Sequence, residues 1–346
     1  MKRGLDRNAL DPERGSLAIQ TAVIILCCAI IGAAALSFLA FSAKSVGRAK
    51  LEAAKSNRRA ELVRAIDVAI AAIEADSSPE SDSPLDAVYS ISSLEGATVA
   101  VADASSAINP NWVRKGLLED TPLSSILKPG VSPSDLQQFR EDSGLSQDLA
   151  HYEAYFNADD AKALLSPYSY ACIGASDEFA LRRLCLDATG DGMAAESLFS
   201  AAQNQLKSGK ALDEAGLRAI LGLNYDALSP ILTSQAQMNV NFLPERVLKA
   251  VVAFSAWNIA DSGRKWQSIA LTRESSAISQ EVLDAILKVK ADHPIKGYLG
   301  VRTWFWRIKA EKDGVGLTAV AARRLPFDPA EAKKGLTLIS IKESEE

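Results

Sequence analysis

The segment RGSLAIQTAVIILCCAIIGAAALSFLAF, from Arg14 to Phe41, decides the architecture of this 346-residue chain. Its apolar part, Val23–Phe41, contains no charged residue. At 1.5 Å per residue this part forms about 28 Å of helix, which is close to the hydrocarbon core of a bilayer at about 30 Å. The sequence therefore predicts one membrane-spanning helix near the N-terminus.

The residues after the apolar segment continue the helical pattern. Between Ala43 and Ala75 there is no proline, and Gly47 is the only glycine. We expect one long helix, in the membrane in its first half and packed on a globular domain in its second, that ends at the polar segment Asp76–Pro79. Its apolar residues recur at intervals of three and four, as on one face of an amphipathic helix: Leu51, Leu62, Ala65, Ile66, Ala69, Ile70 and Ile73.

The rest of the chain predicts a sheet interrupted by a large helical region. Ala97–Asp103 has the composition of a strand, and amphipathic helical segments follow as far as about Leu232. Asp313-Gly314 predicts the turn between the first two of three closing antiparallel strands, so the fold class is α+β. The segments that indicate these closing strands are Gly300–Ile308, Thr318–Arg323 and Leu336–Ile341.

Two short Asn-x-Asn sequences mark turns before helices. They are Asn109-Pro110-Asn111 and Asn239-Val240-Asn241. Asparagine favours tight turns because its side chain bonds to the backbone two residues on. Pro244 suits the first residue of the following helix, since its missing N–H would need no partner there.

Composition and sequence patterns argue against several functional classes. A net charge of −5 gives no electrostatic reason to expect nucleic acid as a partner. His151 and His293 are the only histidines, which disfavours most histidine-based hydrolases and metal sites. The chain also has no Gly-x-Ser-x-Gly, no His-Glu-x-x-His and no phosphate-binding glycine loop.

Cysteine use divides between the membrane segment and the rest of the chain. Cys27 and Cys28 lie in the apolar segment and are expected to pack as small apolar residues. If the remainder is extracytoplasmic, Cys172 and Cys185 could form a disulfide that closes a loop of about 14 residues and contributes about 3 kcal/mol. The alternative is two unpaired buried thiols.

The residues before the apolar segment resemble the leader of a type IV prepilin. Arg14-Gly15-Ser16 follows a basic N-terminus, and no small-residue cleavage site follows the apolar segment, as a secretory signal peptide would require. The resemblance implies that a membrane peptidase cleaves between Gly15 and Ser16 and that the helix stays in the mature protein. The other interpretation is a plain signal anchor in which Gly15 has no role.

The fifth residue after that cleavage point is Gln20, where pilin-like proteins usually carry glutamate. A carboxylate at membrane depth is costly unless it is paired, and in those filaments it pairs with the N-terminal amine of the neighbouring subunit. A subunit with no neighbour above it has no amine to meet. A neutral residue is therefore expected at this position in a subunit at the filament tip, and Gln20 resembles that pattern.

Three further segments resemble the minor pseudopilin K family of type II secretion. Val101–Asn111 is similar to the strand and turn at the start of that family's helical insertion, Met238–Leu248 to its second Asn-x-Asn turn, and Thr303–Ile308 to the aromatic start of its closing strands. The resemblance implies a pilin-like fold with a long N-terminal helix packed on an antiparallel sheet. Its divisions would be a leader at 1–15, the long helix at 16–75, the first part of the α/β domain at 76–108, a helical insertion at 109–298 (about 109–235 and 239–298) and closing strands at 299–346.

The family resemblance implies a non-catalytic subunit that caps a periplasmic pseudopilus and is needed for its assembly and for secretion. The protein would cross the inner membrane once, with its leader in the cytoplasm and most of the chain in the periplasm. Its partners would be the other minor pseudopilins, the major pseudopilin, the prepilin peptidase and the inner-membrane secretion platform.

The same resemblance implies calcium as a cofactor, because members of that family bind it in the soluble domain. The best matching segment is Asp187-Ala188-Thr189-Gly190-Asp191-Gly192. Asp187, Thr189 and Asp191 could supply hard oxygen ligands in a turn, although Leu198 stands where an EF-hand loop has its final glutamate. The alternative is an ordinary solvated turn.

Two other functions remain open from the residues. One is a minor pilin of a type IV pilus. The other is a signal-anchored periplasmic enzyme or binding protein with unfamiliar chemistry.

Overall fold

The computed structural model describes residues 52–76, 81–94, 96–254, 259–325 and 335–343. The chain divides into two units, Met1–Ala60 and Glu61–Glu346. Residues 52–60 of the first unit are described; they are helical and mostly exposed. The predicted membrane segment and Gly15, Ser16 and Gln20 lie outside the described residues. No helix within the described ranges is both long and apolar enough to span a bilayer.

Helices and strands follow one another in the α+β order that the sequence predicts. The helices are α1 (52–74), α2 (Lys115–Glu119), α3 (Pro133–Ser143), α4 (Ala158–Leu164), α5 (Glu178–Thr189), α6 (Gly192–Ser208), α7 (Glu214–Leu221), α8 (Tyr225–Leu228), α9 (Glu245–Ala253), α10 (Ser262–Ser275) and α11 (Gln280–Leu287). The strands are β1 (Ser93–Leu94), β2 (Ala97–Asp103), β3 (Ala171–Cys172), β4 (Leu232–Thr233), β5 (Met238–Asn239), β6 (Leu299–Gly300), β7 (Phe305–Lys312), β8 (Val315–Arg323) and β9 (Leu336–Glu343).

The main sheet has the order β1-β2-β7-β8-β9 and every neighbouring pair is antiparallel. β2 pairs with β7, with Val101 opposite Ile308, although the long helical region lies between the two strands in the chain. The predicted turn is confirmed, because Asp313 and Gly314 join β7 to β8 with φ values of 49° and 73°. Two consecutive residues with positive φ match the turn type whose twist suits a two-residue hairpin.

The part of α1 from Glu61 onward packs on one face of this sheet. Leu62, Ile66 and Ile73 are buried against apolar residues of β2, β7 and β8. Along β2 buried and exposed residues alternate, as in a strand with one face on a core and the other face in solvent. The amphipathic pattern of the sequence therefore predicted the buried face of α1.

The first closing strand begins later in the sequence than predicted. β7 begins at Phe305, whereas Leu299 and Gly300 pair in parallel with Met238 and Asn239 in a separate two-stranded sheet. Residues two apart in a regular strand share one sheet face, but Trp304 and Trp306 do not. Because Trp304 precedes the regular strand, it packs beside Phe305 in one cluster, while Trp306 packs under α1 in another.

Helices α2–α11 lie in the chain between β2 and β7 and enclose two further cores. The larger core gathers residues from α2, α3, α9, α10 and α11, including the buried Leu117, Leu136 and Val251. The second core is formed by α5–α8 around Leu198 and Leu217. This helical region meets the sheet at the segment that carries the second asparagine turn.

Candidate functional site

The first asparagine turn clamps three segments together. Asn109 Oδ1 accepts a hydrogen bond from the Asn111 backbone N–H at 2.9 Å, and Asn109 Nδ2 donates to the Pro167 carbonyl at 2.9 Å. Asn111 holds Ser146 by donating to its carbonyl and accepting from its N–H, both at 2.8 Å. The hydroxyl of buried Tyr152 also donates to Asn111 Oδ1.

The second asparagine turn repeats this arrangement, and both of its asparagines are buried. Asn239 Oδ1 accepts from the Asn241 N–H at 3.0 Å, and Asn239 Nδ2 donates to the Asp82 carbonyl at 2.8 Å. Asn241 holds Ile278 through both its carbonyl, at 3.1 Å, and its N–H, at 2.9 Å. Its Nδ2 also donates to the Asp82 carbonyl, at 3.0 Å.

The two turns are structural equivalents. In each, the first asparagine closes the turn and the second fixes both backbone groups of a segment further along the chain. Both turns lead into a helix, α2 or α9, whose first residue stands at the same offset from the first asparagine. Pro244 was predicted to be the first residue of α9, and this was wrong. It lies one position earlier, at the N-cap, and Glu245 is the first residue of the helix.

Asp82 lies where the second turn meets the sheet and is almost fully buried. Its carboxylate accepts from the Thr303 backbone N–H at 2.8 Å and contacts Arg323 Nη2 at 3.4 Å. Its own N–H donates to the Val301 carbonyl at 2.7 Å. One acidic residue therefore joins the segment after α1, the turn at Asn239, the start of β7 and the end of β8.

A second carboxylate, Asp103 at the end of β2, organises the same junction. It accepts hydrogen bonds from the backbone and the hydroxyl of both Ser105 and Ser106, at 2.6–2.9 Å. The Thr303 hydroxyl also donates to it, at 2.8 Å. The Thr303 oxygen in turn accepts from the Tyr89 hydroxyl at 3.1 Å.

Burial determines the electrostatics of this junction. It raises the pKa of Asp82 to about 7, against the opposing effects of the Arg323 charge and the Thr303 N–H. Burial likewise raises the pKa of Asp103, opposed by hydrogen bonds from neighbouring hydroxyls. The pKa of Tyr89 rises as well, because the phenol is buried and lies near both carboxylates.

The chemistry of this junction is that of a structural clamp. The hydroxyls of Ser105, Ser106 and Thr303 all donate to the Asp103 carboxylate. The turn positions at Asn109, Asn111, Asn239 and Asn241 were predicted from sequence, and the structure brings the second pair to this clamp.

Sequence reasoning missed the residues that complete the clamp. Asp82, Asp103, Thr303 and Arg323 come from segments far apart in the chain. A local signal existed only at Asp103, since an aspartate followed by Ser105 and Ser106 can cap the turn after a strand. Nothing near Asp82 or Arg323 in sequence indicates that the two side chains meet.

The predicted disulfide is not formed. Cys172 and Cys185 are both free and buried, which agrees with the alternative of two unpaired thiols. Cys172 lies in β3 with Sγ toward Gly297, whereas Cys185 Sγ on α5 contacts Thr189 Oγ1 at 3.8 Å. Burial raises the pKa of Cys172 to about 11, so this thiol is protonated at neutral pH.

The predicted calcium segment forms the junction between α5 and α6, and its oxygens have other partners. Asp187 pairs with Arg183 at 2.8 Å, and the Thr189 hydroxyl donates to a carbonyl in the last turn of α5. Asp191 caps the first turn of α6 with one oxygen and accepts from Asn224 with the other. A calcium ion at these oxygens would compete with those bonds.

In the described part of the chain, no group of three or more His, Cys, Asp or Glu side chains is arranged to hold a metal ion. The calcium prediction has no further support and stays a prediction.

Comparisons with known proteins give a similarity at the level of structure. No family model matches the sequence, and no curated protein matches it. A solved structure of the GspK–GspI–GspJ complex from the type 2 secretion system of enterotoxigenic Escherichia coli contains a chain that superposes with a TM-score of 0.31 at 12% identity. The match covers 85% of this chain and 99% of that chain. At such a TM-score, function has to be argued from the residues of this chain.

Proposed function

We propose that the protein is a minor pseudopilin that caps the tip of a periplasmic pseudopilus in a type II secretion system. In this role it is a non-catalytic assembly subunit of the inner membrane. Its partners are the other minor pseudopilins, the major pseudopilin, the prepilin peptidase and the secretion platform.

The observation that carries the proposal is the packing of α1. Residues 61–74 lay an apolar face on a five-stranded antiparallel sheet, and in sequence they follow an apolar segment preceded by Arg14-Gly15-Ser16. A helix that begins in the membrane and ends on a sheet is the arrangement that the pilin-like resemblance implies.

Two further observations support the proposal. The second asparagine turn attaches the helical region to the segment just before β7, because Asn239 Nδ2 donates to Thr303 Oγ1 at 3.3 Å. Both asparagine turns stand at segments that resemble the pseudopilin K family. In addition, the described carboxylates, hydroxyls and amides at the central junction are engaged with one another, which favours an architectural role over catalysis.

The leader provides the first test. The chain is expressed in a cell that contains a prepilin peptidase and purified from the membrane, and its N-terminus is determined by mass spectrometry. We expect Ser16 as the first residue. Gly15→Leu should retain the leader, whereas the matched control Gly4→Leu, in the same leader, should be cleaved normally. An intact leader in the unaltered protein would rule out the proposal.

Placement at the tip depends on Gln20 and has its own test. Gln20→Glu introduces a carboxylate at membrane depth, which is costly when no amine faces it. We expect reduced pseudopilus assembly and secretion in this variant, while the neutral Gln20→Leu retains both. Normal secretion with Gln20→Glu would contradict placement at the tip, but it would not contradict the assignment to the pseudopilins.

A further inference from the structure

A groove of about 540 Å³ lies between the edge of the sheet and the helical region. Its described walls include the aromatic side chains of Trp112, Tyr168, Tyr170 and Phe305. Aromatic walls give a large apolar contact area, and a groove of this volume is of the size that accommodates bulky side chains or small ligands.

Strand β9 forms one wall of this groove and is also an edge strand. It has one neighbour among the described strands, β8, and contains no proline over Leu336–Glu343. Its register with β8 shifts between Val320 and Ala321, so Ile339 has no opposite residue and lines the groove. Ile339 is 39% exposed. An exposed apolar edge strand is a template on which another chain can pair.

Arg324 is the only charged residue among the described residues that line the groove. Its Nε donates to Thr337 Oγ1 at 2.8 Å, which holds the exposed side chain beside the first half of β9. A guanidinium in such a place recognises a carboxylate through strong, directional hydrogen bonds. An apolar groove with one cation at its rim is complementary to a ligand that carries a large apolar group and one negative charge.

We propose that β9 and this groove bind an extended segment of a partner protein as an added strand. A large apolar side chain of that segment fills the aromatic groove, and an acidic side chain two residues away pairs with Arg324. Side chains two apart in a strand share one face, so both reach the groove side. Pairing through backbone gives affinity, and the groove gives side-chain specificity.

The partner segment is an internal stretch of its chain. β9 continues past the groove to Glu343, so a strand paired along its length passes the groove and presents side chains there. The inference concerns a surface separate from the predicted leader and membrane helix, and it does not rest on the proposed secretion role.

A defined peptide tests the proposal on the full-length protein in detergent micelles. The probe is the peptide Thr-Val-Thr-Trp-Thr-Glu-Thr-Val with an uncharged fluorophore on its N-terminus and an amide at its C-terminus. The glutamate is then its only charge. We expect saturable binding by fluorescence anisotropy. Replacing the glutamate by glutamine should weaken binding about ten-fold, the effect of losing one hydrogen bond to a charged group. Replacing the tryptophan by serine, or N-methylating the backbone, should weaken it at least as much.

Variants of the protein assign the effect to the groove. Arg324→Gln should remove the preference for glutamate over glutamine, and Ile339→Lys should abolish binding. Leu338→Ser and Lys342→Gln are matched controls on the same strand outside the groove, and they should change the Kd less than about three-fold. Absence of saturable binding by the folded protein, or a glutamate preference that persists in Arg324→Gln, would overturn the proposal.

Discussion

At the scale of single residues, the molecule depends on buried polar groups that reach between distant segments. Asp82, Asn239 and Asn241 satisfy backbone groups that would otherwise be buried without partners. Such groups are costly to leave unpaired, by about 1–3 kcal/mol each. The strength of the junction therefore lies in a few side chains, and two of them have directly testable consequences.

The first consequence is a pH dependence of stability that comes from Asp82. Its pKa is 3.8 in an ordinary setting and about 7 in the folded protein. Between these values the folded state binds more protons than the unfolded state, so the free energy of unfolding falls as pH rises. The contribution is complete below about pH 4, is lost through pH 7 and amounts to roughly 4 kcal/mol.

Asp82→Asn cannot titrate, so the fall in unfolding free energy between pH 4 and 7 should become shallower. Chemical denaturation at several pH values measures this slope. Asp135→Asn is the matched control, because the Ser132 N–H and hydroxyl lower the pKa of exposed Asp135 and its titration lies below this window. An unchanged slope in Asp82→Asn would contradict the assignment.

The second consequence concerns the asparagine turns. Asn241→Ala removes one acceptor and one donor that hold Ile278, together with a bond to the Asp82 carbonyl. We expect a loss of about 2–4 kcal/mol in the free energy of unfolding, and a similar loss for the equivalent Asn111→Ala. The control is Asn204→Ala on the exposed side of α6, with a change within about 0.5 kcal/mol. A loss below about 1 kcal/mol for Asn241→Ala would argue against the clamp.

At the scale of elements, local patterns predicted which segments form helices and strands but not always where they begin. The capping box at Ser132 and Asp135 starts α3 within the region that the sequence predicts to be helical. The strand expected from Gly300 begins only at Phe305, because Leu299 and Gly300 are taken by pairing with β5. Competition between strand partners is a tertiary effect that local composition cannot reveal.

Helix α1 offers the clearest test at this scale. Ile66 is fully buried between α1 and the sheet, whereas Val68 on the same helix is 41% exposed. Ile66→Ala should lower the free energy of unfolding by about 2–5 kcal/mol through lost burial and a cavity. Val68→Ala should change it by less than about 0.5 kcal/mol. Thermal or chemical denaturation compares the two, and equal effects would mean that α1 does not pack as described.

At the scale of the whole molecule, the residues Glu61–Glu346 form one compact unit with several apolar cores. The cores under α1 and in the helical region are distinct, and the junction around Thr303 connects the segments that enclose them. Domains of this size often unfold in steps. A buried network shared by the sheet and the helices should instead couple their unfolding.

We therefore expect one transition when unfolding is followed by two probes. Fluorescence of Trp304 and Trp306, with the other tryptophans replaced by phenylalanine, reports on the sheet, and far-ultraviolet circular dichroism reports mainly on the helices. The two midpoints should coincide. Thr303→Val removes the bridging hydroxyl and should lower both midpoints together. Separate midpoints in the unaltered protein, or a shift confined to the tryptophan signal, would contradict the coupling.

The sequence by itself determined the class of the fold, the amphipathic face of α1, the hairpin at Asp313-Gly314 and the positions of the two asparagine turns. These follow from periodicity and turn chemistry, which act over a few neighbouring residues. Only the tertiary structure decided the clamp at Asp82 and Asp103, the unpaired state of Cys172 and Cys185, and the groove beside β9. The reason is physical, because each depends on which distant segments compete for the same hydrogen bonds and the same buried space.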